Sequence, residues 1–112
     1  MKERIKGMTL YKQNILERVN ELVCEQYAMP LKEIRTRNRA LRYSIPRLVA
    51  IGILRNVFGF TYSSLTSYYN YASTCSVQWA RKELDKRMAE DPEIASVVKE
   101  VLKQVKPLIP NH

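Results

Sequence analysis

Apolar residues recur along the chain at helical intervals, with polar residues between them. In residues 12–27, Ile15, Leu16, Val19, Leu22, Val23 and Tyr27 share one face, while Glu17, Arg18, Glu21 and Glu25 take the other. That pattern predicts a first strong helix. Residues 1–11 show no clear period and read as an arm or a short extra turn. Met29-Pro30 breaks the helix, and Pro30 is placed to open a short one through Leu31 and Ile34. Residues 35–43 are polar, basic and weakly periodic, and predict a loop. Ser44 is then the expected N-cap of the next helix, with Pro46 in its first turn. Apolar residues from Leu48 to Phe58 wrap most of that helix, which predicts the central, most buried element, closed by Gly59.

Beyond Gly59 the pattern predicts a short helix capped by Thr61 over residues 62–68, with Leu65 inward. After a turn at residues 70–73, Ser73 or Thr74 opens a longer helix to about residue 88. Its inward stripe is Val77, Ala80, Leu84 and Met88. Asp91-Pro92 is a cap followed by proline at the first helical position. The last helix, residues 92–105, carries Ile94, Val97, Val98, Val101, Leu102 and Val105 on one face, and Pro107 and Pro110 end it. The fold class expected is therefore all-α: a compact bundle of five to six helices containing a helix-turn-helix. The 112 residues suit one domain, 1–112, with a core at 13–89 and an additional helix at 91–106. The valine-rich face of that last helix either caps the core or pairs with a second copy in a homodimer, and capping is favoured.

Charge changes the picture through its placement. Of the net +8, nearly all arises in residues 32–55, where Lys32 and six arginines face Glu33 alone; residues 56–80 carry no charge. A solubility charge would be spread along the chain and rich in lysine. Arginine forks onto phosphates and base edges, so the cluster points to a polyanion. The uncharged pair of helices beyond it supplies the second half of the reading. In a helix-turn-helix the second helix offers its first residues to base edges. Here those are Ser73, Thr74, Cys75, Ser76 and Gln78, mostly side chains able to hydrogen-bond to bases or phosphates.

Other chemistry is thin. Cys24, Cys75 and the terminal His112 lack metal-ligand spacing, so no metal is expected and free thiols are the simpler reading. No base accompanies Cys75, and no phosphate-binding glycine loop or nucleophile elbow is present, so neither an enzyme nor a cofactor is expected. Tyr62, Tyr68, Tyr69 and Tyr71 invite a stacking platform for RNA or single strands. Half-buried rings with exposed hydroxyls are the commoner use. Trp79, on the flank of the inward stripe, reads as edge-of-core packing. The charged residues 1–9 are not a signal peptide, and no apolar run approaches the ~20 residues of a membrane span. The expected location is cytoplasmic, on the nucleoid.

Ordered motifs add a resemblance. Glu25-x-Tyr27, Lys32-Glu33-Ile34, Arg37-x-Arg39, Pro46-Arg47-x-x-Ala50, Thr61-Tyr62-x-x-Leu65 and Val77-x-x-Ala80 occur in an order and spacing that align to one family without gaps. Over residues 15–84 the chain thereby resembles the C-terminal DNA-binding domain of the bacterial replication initiator DnaA, a Trp-repressor-like helical fold. The resemblance implies double-stranded DNA as partner. It implies that Arg39, with Arg37 beside it, enters the minor groove. Arg47, Arg55, Ser63 and Ser76 would meet phosphates, and Ser73, Thr74 and Cys75 would face base edges in the major groove. Where that family reads Gly-Arg-Asp-His-Thr-Thr, this chain reads Tyr71-Ala72-Ser73-Thr74-Cys75-Ser76. The implied grip on phosphate is kept and the reading residues differ, so an altered sequence preference is expected, in replication or transcription control. The alternative is a protein-interaction module on the same fold, supported by the uncharged segment 56–80.

Overall fold

The computed structural model describes residues 8–35 and 40–108, and these form a bundle of α-helices with no strand. Helix α1 is Leu10–Tyr27, opened by Thr9, whose hydroxyl accepts from the Lys12 amide at 3.2 Å. Its predicted stripe, from Ile15 to Val23, is buried. α1 starts earlier than expected, because Thr9 supplies the cap. The expected arm at 1–11 is thus helix from Leu10, and residues 1–7 lie outside the described residues. Ala28 ends α1 in the left-handed region at φ 51°. The Met29 amide then reaches back to the Cys24 carbonyl at 3.1 Å, and the Ala28 amide to Glu25 at 3.4 Å.

Helix α2, Leu31–Ile34, follows Pro30 as predicted and buries Ile34. α3, Leu41–Asn56, is the central helix and packs on α1, α2, α5 and α6. It begins before the expected cap at Ser44, so part of the predicted loop at 35–43 is helical and Pro46 lies inside the helix. Proline there removes the hydrogen bond to the Arg42 carbonyl and crowds that carbonyl with its ring. Arg42 is exposed, where water can replace that bond, and Tyr43 and Ile45 pack half-buried on the core to favour the extra turn. At the other end Gly59 takes φ 69°, its amide bonds to Arg55 at 3.2 Å, and the Phe60 amide bonds to Leu54 at 3.1 Å.

Helices α4 (Tyr62–Tyr68) and α5 (Thr74–Glu90) pack on each other, and α5 lies along α3. α3 and α5 approach so closely at Gly52 that a Cβ there would overlap a Leu84 methyl. α6, Pro92–Val105, is entered through Asp91, whose carboxylate accepts from the Glu93 amide at 2.9 Å. Its buried residues Ile94, Val98, Val101 and Val105 face α1, α3 and α5, so the valine-rich stripe closes the core of its own chain. One turn of 3-10 helix, Lys106–Leu108, follows. A polar tie crosses the interior. The Tyr69 hydroxyl donates to Asn20 Oδ1 at 2.6 Å, and Asn20 Nδ2 donates to the Leu16 carbonyl at 2.7 Å.

Candidate nucleic-acid interface

The interface is built on α4, its turn and α5. Thr61 caps α4 by accepting from the Ser64 amide at 3.1 Å. The helix ends on Asn70 at φ 59°, a residue type that tolerates the left-handed region. The Tyr71 amide then bonds to Thr66 at 3.0 Å and the Asn70 amide to Ser67 at 3.3 Å. This closure fixes where the chain re-enters helix at Ser73. Val77, Ala80 and Leu84 are buried below, so the opposite side of α5 faces out. Ser73, Thr74, Cys75 and Gln78 are exposed there, with Ser76 half-buried. Three helices entered through Thr9, Thr61 and Asp91 use the cap side chain, whereas the Ser73 side chain makes no capping bond. The first turn of α5 therefore presents hydroxyls and backbone N–H groups together, which suits hydrogen-bond acceptors and anions.

Arginines bracket α4. At its C-terminal end Arg35 Nε donates to the Tyr68 carbonyl at 2.8 Å, and its guanidinium carbon sits 4.3 Å from the centre of the Tyr68 ring. Asn70 Nδ2 returns a bond to the Arg35 carbonyl at 3.0 Å. Arg35 is thus tied to the turn leading into α5, and Arg37 and Arg39 follow it in the sequence. Those two residues lie outside the described residues. At the N-terminal end of α4, Arg55 Nη1 donates to the Phe60 carbonyl at 2.9 Å, and its guanidinium carbon is 4.4 Å from the Tyr62 ring centre. Ser63 is exposed beside it.

Arg81 belongs to the same cluster and was missed in the sequence, where it opens the mixed-charge tail. Its Nη1 donates to the Tyr62 hydroxyl and its Nε to Asn56 Oδ1, both at 3.0 Å. The bond from Arg81, aided by Arg55, holds the Tyr62 pKa below its ordinary value against a smaller opposing effect of burial. One sequence signal pointed there: Arg81 directly follows Ala80 and so sits at the edge of the buried stripe.

Arg47 is placed differently from its implied role on the surface. It is 3% exposed, with its guanidinium carbon 5.8 Å from the Tyr71 ring centre. It lines a cleft of about 590 Å³ between the start of α3 and the first turns of α5, together with Tyr71, Ser76 and Trp79. An anion would meet Arg47 only by entering that cleft. Trp79, expected at the edge of the core, is 55% exposed instead. The inward stripe turns it away from α3, and more than half of its surface is uncovered among the described residues.

Tyr68, Tyr69 and Tyr71 pack into or against the core. Tyr69 is fully buried, and burial holds its pKa well above the ordinary value. Tyr68 meets it edge-to-face at 5.0 Å, and Arg35 occupies a face of Tyr68. Burial also raises the Tyr68 and Tyr71 pKa values, opposed by Arg35 and Arg47 respectively. Cys75 is an exposed free thiol. Cys24 is half-buried, its pKa raised by burial and then by Glu21 and Glu25. Among the described residues no cluster of metal-ligating side chains occurs, and no helix is long and apolar enough to cross a membrane.

Fold and surface together define an all-helical module with an exposed helix-turn-helix flanked by arginines. No protein-family model matches the chain. It is similar to the chromosomal replication initiator protein DnaA of Methylacidiphilum infernorum, 22% identical over 90 residues, 80% of this chain and 20% of that protein. The DnaA of Geotalea uraniireducens is 23% identical over 90 residues, again 80% of this chain and 20% of the relative. That of Pelobacter propionicus is 20% identical over 86 residues, 77% and 19% respectively. The chain spans about a fifth of the length of these curated relatives, matching their C-terminal domain. This agrees with the resemblance carried by residues 15–84.

Proposed function

We propose that this chain is a double-stranded DNA-binding module, working without catalysis in replication or transcription control. The first turn of α5 enters the major groove, with Ser73, Thr74 and Cys75 toward base edges and Ser76 toward a phosphate. Arg37 and Arg39 lie in the adjoining minor groove, while Arg55 and Ser63 hold the backbone at the start of α4. Arg47 supports the first turn of α5 from the cleft and meets phosphate only through its mouth. Residues 13–89 form the binding core, and α6 completes it within one copy. The observation that most supports this reading is the double tie between Arg35 and the turn at Tyr68 and Asn70. It ties Arg35, two residues before Arg37 in the sequence, to the turn that leads into the exposed helix start, which supports simultaneous contact with two adjacent grooves. The reading residues differ from the implied family's, so the preferred site differs from the initiator's.

In-vitro selection from random duplex DNA tests this. A motif should be enriched, and Thr74→Ala should change the preferred base at one or two positions, a discrimination of about 1–3 kcal/mol per bidentate contact. An unchanged preference would remove α5 as the reader. Failure to bind any duplex at low salt would favour a protein-interaction module instead. The specific support for that second reading is Trp79, exposed at the end of an uncharged segment.

A further inference from the structure

Two guanidinium groups converge on one phenol where α3, α4 and α5 meet. Arg55 lies over the Tyr62 ring, 4.4 Å from its centre, and Arg81 donates to the Tyr62 hydroxyl at 3.0 Å. Among the described residues neither guanidinium faces a carboxylate: their partners are Tyr62, Asn56 and the Phe60 carbonyl, all uncharged. Like charges brought together without a counter-ion repel each other, and an arriving anion relieves that repulsion. Each guanidinium has five N–H donors in a planar fork and spends only one or two on these partners. Both side chains are half-buried and held at fixed points, so an anion finds them already ordered.

Position narrows the anion to a backbone phosphate. Arg81 stands eight residues after Ser73 on α5, about 12 Å along the axis at ~1.5 Å per residue. The major groove is about 12 Å wide. A helix that reads the groove at Ser73 and Thr74 with its axis across the groove sets Arg81 at the bordering strand.

We propose that Arg55 and Arg81, spaced by Tyr62, form a preformed fork for one phosphodiester of the duplex, with Tyr62 as a positioning residue. This rests on the duplex-DNA reading above. It assigns Arg81 and Tyr62 a part in it that charge clustering in the sequence does not show.

The test is duplex affinity against salt for the whole chain and for Arg81→Gln, Tyr62→Phe and the double variant, with thermal unfolding as the control for folding. Arg81→Gln should flatten the log–log salt slope by about one and weaken binding about tenfold at low salt, alike on all sequences. Tyr62→Phe leaves both charges, so the slope should hold while affinity falls several-fold. The double variant should be no weaker than Arg81→Gln. An unchanged slope in Arg81→Gln, or losses that multiply in the double variant, would overturn the fork. Should Arg81→Gln fail to fold, Arg81→Lys keeps the charge and removes the planar fork: several-fold weaker binding supports the proposal and unchanged binding overturns it. If the unmodified chain binds no duplex, the DNA reading falls first. The fork is then judged with inorganic phosphate, by NMR of the arginine Nε–H signals. Saturable shifts at Arg55 and Arg81 that vanish in Arg81→Gln would uphold it as an anion site, and no shift would overturn it too.

Discussion

Tyr27 and Tyr69 both carry a hydroxyl into the interior, and the two hydroxyls meet different surroundings. That of Tyr69 donates to Asn20 at 2.6 Å, whereas that of Tyr27 is buried without a hydrogen-bond partner among the described residues. An unsatisfied buried hydroxyl costs about 1–3 kcal/mol, and breaking a satisfied one strands its partner at similar cost. Tyr27→Phe should therefore raise stability by about 1 kcal/mol in urea unfolding, and Tyr69→Phe should lower it by about 1–3 kcal/mol. Burial, then Glu93 and Asp91, push the Tyr27 pKa up to about 12 from 10. The folded state keeps that proton while the unfolded chain loses it. Stability from Tyr27 is thus fully present below pH 10 and falls as pH rises toward 12. Tyr27→Phe should shrink that alkaline loss, leaving the shares due to the other groups raised by burial, Tyr68, Tyr69, Tyr71 and Cys24. A loss identical to that of the unmodified chain would contradict the assignment.

Among the elements, those with a cap residue beside a clear apolar period were legible in the sequence. Thr61 and Asp91-Pro92 announced α4 and α6 because a side-chain cap is a local matter, and Gly59 announced its left-handed turn. The start of α3 was not legible, because Ala40 carries no capping side chain and Pro46 argues against the helix that tertiary packing imposes. Ala28 concealed the left-handed end of α1 for the same reason: alanine gives no sign of that conformation. Of the candidate site, the first turn of α5 could be read from its own residues. The placements of Arg81, Arg47 and Trp79 could not, since each depends on a partner or a cleft supplied by distant parts of the chain. The α3–α5 contact gives a prediction at this scale. Gly52→Ala gains about 1 kcal/mol of helix propensity. It also drives a methyl into Leu84, which is buried and cannot step aside, at a cost of about 1–3 kcal/mol. A net loss of stability is expected. In a Leu84→Ala background the same change should turn stabilising, as thermal unfolding of the four proteins would show. A gain in the unmodified background would mean that the helices do not approach as described.

At the scale of the whole molecule, α6 turns its apolar face onto α1, α3 and α5, which leaves the helix-turn-helix and its arginines as the distinctive outer surface. Most of the net charge of +8 arises in residues 32–55, and Arg35 and Arg55 of that segment pack on α4 beside that surface. This surface is proposed to grip the backbone of duplex DNA, whatever sequence it prefers. Binding of the unmodified chain to duplex DNA across a range of salt concentrations tests that most directly. Contact by about four to six cations predicts a log–log slope of about −4 to −5. A flat response to salt would contradict it.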